Sequence, residues 1–250
     1  MAINTDKNGY TILFAIGMVV VVGTLLAGIA SGLKPAIDAN KRTEKQQNIL
    51  FAMGVKDEND PNEFVAPEKA DDLFQQYIKT QYIVTGSKAE ETTEAFDIEV
   101  KKEGDKVKQD PNYDRKMPLF VGEKDGKKLY IVPMRGNGLW DAIWGYIALD
   151  EKLVIQGAFF DHKGETPGLG ANIKEAFFRD DFIGELIYDQ AGNYKGVTVK
   201  KGNGDPKNND KTDNEVDAMA GATITGDGVT AMIKKGLRMY LPYLEQLKQK

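Results

Sequence analysis

The sequence predicts an α+β protein, with one transmembrane helix near the N-terminus followed by a mainly antiparallel sheet with flanking helices. Three observations carry this. An apolar run from Ile12 to Leu33 has no charged residue. The pair Asp125-Gly126 separates two apolar stretches, a strong hairpin signal. Helical patterns follow the paired strand-like runs instead of alternating strictly with them, which disfavours a doubly wound parallel sheet.

The first element spans residues 12–33, after a short tail over residues 1–11. Its 22 residues rise about 33 Å as a helix, enough to cross a bilayer core. A cleavable signal peptide with cleavage before Ser31 is the competing reading; the apolar run is long for one. Lys34, Lys41, Arg42 and Lys45 follow the span, and by the positive-inside rule they place the large domain in the cytoplasm. The span itself holds no carboxylate, which argues against a sodium site within it.

Residues 34–116 read as a helical, charged, membrane-proximal region. Pro35 suits the first turn of a helix that ends at Gly54, read as continuing from the membrane and docking at its far end. A second helix is expected over 67–82, with Leu73, Phe74, Tyr77 and Ile78 on one face. The charged stretch 85–118 reads as solvated surface.

Residues 117–250 form the expected α+β domain. The Asp125-Gly126 hairpin is followed by a second, with a turn at Asp150-Glu151. A helix is expected over 171–187, a strand over 194–199 and a polar loop over 202–215. A last helix is expected over 228–240, stopped by Pro242.

Composition narrows the chemistry. The 250 residues carry 33 basic and 38 acidic side chains, a formal net charge of -5 that offers no basic excess for nucleic acid. There is no cysteine, one histidine (His162) and two serines (Ser31, Ser87), so thiolate chemistry, cysteine-held clusters and multi-histidine metal sites are excluded. No dinucleotide or phosphate-loop glycine motif is present. Redox chemistry would therefore need a carried cofactor.

Three segments stand out. Arg135 to Tyr146 sets both tryptophans among three glycines, suiting core packing or a flat ring lying against backbone. His162 to Gly170 gathers polar groups on a turn-prone loop, a tight connection or an edge for a heterocycle. Asp217 to Gly228 surrounds two threonines with small residues before a helix. That pattern suits a helix cap, or a phosphate site in which a hydroxyl carries the ester.

Together these segments resemble the FMN-binding family that includes the C subunit of the sodium-translocating NADH:quinone reductase. The family's flavinylation pattern is matched by Asp217, Gly221, Ala222 and Thr223, and its last position falls on Thr225; Ala220 stands where a hydroxyl residue is usual. The resemblance implies covalent FMN on Thr225 and flavin contacts from Glu165, Thr166, Gly168 and Leu169. The segment Gly138-Leu139-Trp140 matches as well. The implied role is electron relay from NADH toward quinone in a sodium-exporting membrane complex, with NADH bound by another subunit. It further implies a flavin transferase using FAD and a large domain outside the bacterial inner membrane, in the periplasm; contact with membrane lipid follows from the apolar span, and no nucleic-acid partner from the charge balance. The periplasmic placement opposes the charge rule. An Rnf-type electron-transport subunit and a noncatalytic anchored binding or assembly module are the alternatives.

Overall fold

The computed structural model describes residues 8–57, 59–60, 63–202, 204–205 and 207–248. They fall into two compact units, residues 1–45 and 46–250.

The described part of the first unit, residues 8–45, belongs to helix α1 (Asn8–Ala52), whose N-terminal stretch has a mean hydropathy of 2.7 and no buried residue. It is long and apolar enough to cross a membrane. Pro35 lies inside this helix, which runs on from the apolar stretch to a buried far end, as expected, without a new start at the proline. The lost backbone bond is a local cost that a helix of this length absorbs.

In the second unit, the last turns of α1 stop at Gly54, in the left-handed region as expected of a C′ residue (φ +75°). Helix α2 (Pro67–Tyr77) ends earlier than expected, because strand β1 (Ile78–Thr85) takes Ile78 to Val84 into the sheet. There its β-branched residues pack well on the pleated surface. The charged stretch is largely exposed but structured. It contains β2 (Lys88–Glu91), a 3-10 turn burying Ala95 and Phe96, and helix α3 (Val100–Gln109).

Strands β3 (Met117–Lys124), β4 (Lys127–Asn137), β5 (Ala142–Leu149) and β6 (Ile155–His162) complete a six-stranded antiparallel sheet of order β2-β1-β3-β4-β5-β6. Asp125 and Gly126 both have positive φ (52° and 72°), the backbone of a two-residue hairpin turn. The second hairpin turns over residues 150–154, where Asp150 Oδ1 accepts the N–H groups of Lys152 and Val154.

Both faces of the sheet are covered. Phe120, Leu129, Ile131 and Phe159 pack under the end of α1 and α2. Leu119, Val121, Val132 and Ile147 face the opposite layer, which holds the last helix.

That layer differs from expectation in four places. Residues 171–187 are a broken series, Gly170–Lys174 (3-10), α4 (Ala176–Arg179) and Asp180–Phe182 (3-10), ended by Gly184 at φ +89°. The late strand is short: β7 (Thr198–Lys200) pairs in parallel with β8 (Glu215–Asp217), after Gly196 at φ +65° interrupts the run. The last helix, α5 (Thr223–Lys248), starts before Gly228 and runs through Pro242. Gly228 is required there by packing: a Cβ on it would collide with Asn137 O at the end of β4, and one on Gly136 would meet Met232 Cβ at 2.8 Å. The glycines of β4 and α5 thus let helix and strand meet backbone to backbone.

Candidate functional site

This close approach brings the start of α5 beside two loops, β4–β5 and the loop after β6. The β4–β5 loop closes on itself, Gly138 N–H donating to Asp141 O (2.8 Å). In the second loop Thr166-Pro167-Gly168-Leu169 is a type II turn. Leu169 N–H donates to Thr166 O (3.1 Å), and Gly168 holds the φ of +76° that the turn needs.

Glu165 joins the three segments. Its carboxylate accepts N–H bonds from Trp140 (2.9 Å), Leu139 (3.3 Å) and Asp141 (3.4 Å). The Thr225 hydroxyl donates to Glu165 Oε2 at 2.5 Å, the short range of an O–H bond to an ionised carboxylate. Both residues are buried, Glu165 4% and Thr225 1% exposed. Burial pushes the Glu165 carboxyl up. The Thr225 hydroxyl and the three backbone N–H groups more than offset it and hold the group below its ordinary value.

His162 shapes the same loop. Its Nδ1 accepts the Glu165 N–H (3.2 Å), and its Nε2 is buried without a partner among the described residues. It is a positioning residue, as a lone histidine usually is.

Helix α5 opens with a bare end. Gly226 N–H donates to Ala222 O (2.9 Å), which makes Ala222 the cap residue, and alanine has no side-chain acceptor. The N–H groups of Thr223, Ile224 and Thr225 precede the first intrahelical bond and point out of the helix end. The two threonines lie in the first turn, so neither caps the helix.

A cleft of about 230 Å³ opens at this end, lined by Leu139, Trp140, Glu165, Thr166, Leu169, Gly170, Gly221, Ala222, Thr223, Ile224 and Thr225. Leu139, Trp140, Leu169 and Ile224 form an exposed apolar rim. Of the residues singled out in the sequence, Gly168 and Asp217 are not among the lining. Gly168 shapes the turn, and Asp217 ends β8 opposite Lys200. Gly170 and Ile224 line the cleft without having been assigned a role. Gly170 had a signal, as the last glycine of its loop: a Cβ there would collide with Thr225 Oγ1 and meet Glu165 Oε2 at 2.5 Å. The tryptophans divide. Trp140 is 69% exposed at the rim, while Trp144 packs against the α1 side of the sheet.

Residues 138–238, which contain all of this site, match the FMN-binding domain family. Over 99% of its length the chain is 30% identical to the Na(+)-translocating NADH-quinone reductase C subunit of Neisseria meningitidis serogroup A, covering 98% of that protein. The protein of the same name from Haemophilus ducreyi is 28% identical over 98% of this chain and 96% of its own. Among solved structures, the corresponding protein from Parabacteroides distasonis superposes with a TM-score of 0.71 at 33% identity, over 85% of this chain and 96% of that one. The Shewanella oneidensis NqrC structure gives 0.67 at 26% identity, over 85% and 100%.

Proposed function

We propose that Thr225 holds FMN through a phosphoester bond, proceeding from the premise that the chain belongs to the NqrC family, that of the Na(+)-translocating NADH-quinone reductase C subunit. It is an FMN-carrying electron-transfer subunit of that oxidoreductase complex and works beside the complex's other subunits. Its apolar N-terminal helix associates it with the membrane.

The observation that carries the Thr225 assignment is the bare start of α5. Three N–H groups without a partner among the described residues and the positive end of the helix dipole suit a phosphate, and Thr225 presents its hydroxyl in the same turn. Gly221 and Ala222 keep bulk away from that end. Leu139, Trp140 and Leu169 offer apolar surface for a ring, with Glu165 and Thr166 as polar partners at its edge. The cleft is smaller than pockets that enclose a ligand of this size, so a ring seated here keeps an open edge toward a redox partner. FMN supplies the one- and two-electron chemistry that the side chains of this chain lack. Thr225 is nearly buried with its hydroxyl on Glu165, so attachment needs the cleft to open around that hydroxyl. Gly168 acts through the turn it shapes. Asp217 as a cofactor contact rests on the sequence resemblance alone.

The wider setting follows the same resemblance. Residues 12–33 span the lipid bilayer once, 34–116 form the membrane-proximal region, and 117–250, the FMN-binding domain, lie in the periplasm. A flavin transferase attaches the cofactor there. A large domain can cross a membrane largely regardless of flanking charge, which answers the lysines after the span.

The test is covalent mass. After co-expression with its transferase and partner subunits, the denatured chain should keep flavin fluorescence and gain the mass of FMN less water. Thr225→Val should lose both while keeping its fold. An unmodified wild-type mass, or flavin retained on the valine variant, would reject the assignment. A periplasm-only reporter fused after Lys250 should be active; activity of a cytoplasm-only reporter would reject the orientation.

A further inference from the structure

Resting on the reading that Thr225 carries the FMN phosphate, we propose that Glu165 is the base that takes the Thr225 hydroxyl proton as the ester forms. A threonine hydroxyl is a weak nucleophile unless a neighbouring base accepts its proton in the transition state. Glu165 Oε2 is already at that proton, 2.5 Å from Oγ1. Its other bonds come from backbone N–H groups, which an acceptor-only, ionised carboxylate satisfies. His162 cannot take the part: its Nδ1 lone pair accepts the Glu165 N–H, which leaves the ring proton on Nε2, and among the described residues neither nitrogen is hydrogen-bonded to Thr225. Among the described residues no other titratable side chain is hydrogen-bonded to Thr225.

The step balances as follows. The donor is a phosphoanhydride of FMN, of which FAD is one, because a free phosphate monoester has no adequate leaving group toward an alcohol. Thr225 Oγ1 forms a bond to the flavin-side phosphorus, and the P–O bond to the AMP half breaks. AMP leaves with the bonding electron pair, and the hydroxyl proton passes to Glu165 Oε2. Nothing is oxidised or reduced. The proton's destination also removes a conflict in the product. A charged carboxylate would face a phosphodiester anion across the same short distance, whereas a protonated one donates a hydrogen bond back to the ester oxygen.

Geometry makes the carboxylate specific. Gly170 supplies the space in which Oγ1 and Oε2 meet, since a Cβ there would collide with both. In Glu165→Gln, one amide oxygen can still accept the N–H groups of Trp140 and Asp141. The amide nitrogen then donates to Oγ1 and leaves the Leu139 N–H without its acceptor, so the hydroxyl loses its proton acceptor while the loop keeps two of its three backbone anchors.

The experiment follows covalent flavin on the full-length chain by mass, with FAD, magnesium and the flavin transferase. Glu165→Gln should lower kcat for flavin transfer at least ~100-fold, the usual reach of a general base, with KM for the protein within ~3-fold of wild type. A rise in KM with kcat unchanged would mean a purely structural role and overturn the proposal, as would a wild-type rate. If the glutamine variant loses its cooperative melt, Glu165→Asp carries the same test. It keeps the charge but falls short of Oγ1, and unchanged kcat there overturns the proposal. Absence of covalent flavin on wild type would instead reject the Thr225 reading beneath it, so the two failures remain distinct.

Discussion

Glu165 and Glu185 are both buried carboxylates, 4% and 0% exposed, yet their surroundings drive them in opposite directions. Glu165 collects three backbone N–H groups and the Thr225 hydroxyl, and its carboxyl stays below the ordinary range despite burial. Glu185 sits just after the Gly184 turn. Its Oε1 accepts one bond from Asn208 Nδ2 (3.1 Å) and lies 3.7 Å from Lys211 Nζ, while its Oε2 has no partner among the described residues. Burial wins there and pushes it up to about 7, with Asp213 and Asp210 adding to the rise. The difference teaches that donor count, not depth, decides which buried acid is ionised at neutral pH.

The largest test of that contrast is Gly170→Ala. The new Cβ would collide with Thr225 Oγ1 and press on Glu165 Oε2, prising apart the bond that distinguishes the two acids. We expect a loss of about 3 kcal/mol, at the upper end for forcing one extra carbon into a packed site. Covalent flavin should fall with it. Denaturant melts and the mass of the modified chain read the two effects. Unchanged stability together with full modification would show that the cleft does not depend on this contact.

Next in size is Glu185→Gln. Glu185 titrates from an ordinary 4.5 in the unfolded chain to about 7 in the folded one. Between those values the folded chain binds more protons than the unfolded chain. Stability therefore falls as pH rises through this window and levels off above it. The ceiling on that loss is roughly 3 kcal/mol at ~1.4 kcal/mol per pH unit. A neutral amide escapes it. The glutamine variant should be more stable than wild type by about 1–3 kcal/mol at pH 8 and should lose the slope between pH 5 and 7. A parallel slope in both proteins would place the titration elsewhere.

How much of this contrast the sequence exposes depends on where each signal comes from. Asp125-Gly126 announces its hairpin because the turn chemistry is local. The segments around Thr225 and Glu165 could be singled out because small residues and turn formers cluster there, while the choice of those two residues within them came from the family resemblance. What could not be read is which of them touch. The bond between Glu165 and Thr225 joins residues far apart in sequence, through a helix whose early start was hidden by Gly226 and Gly228. Those glycines are poor helix formers, overridden where Gly228 backs onto Asn137 and Gly226 onto Val199. Ile78 is misread for a similar reason: Leu73, Phe74, Tyr77 and Ile78 fit a helical stripe, and only pairing with β3 decides for strand. Glu185 gave no sign at all. It follows Gly184, at φ +89°, and meets Asn208 from a polar loop distant in sequence.

The smallest expected effect completes the comparison from the solvent side. Lys163 pairs with Asp141 at 2.8 Å, on the same loops that carry Glu165, but the two side chains are 67% and 41% exposed. Water screens such a pair, and holding two mobile side chains together costs entropy, so exposed bridges contribute between nothing and about 1 kcal/mol. The Asp141 N–H that Glu165 uses is backbone and survives the loss of the lysine. Lys163→Ala should therefore change stability by less than ~0.5 kcal/mol, and by still less as salt is raised. Its covalent flavin content should match wild type. If Lys163→Ala instead lowered the modification rate as Glu165→Gln is expected to, a charge in water would be governing the site. The distinction between buried donors and surface ions drawn from Glu165 and Glu185 would then fail.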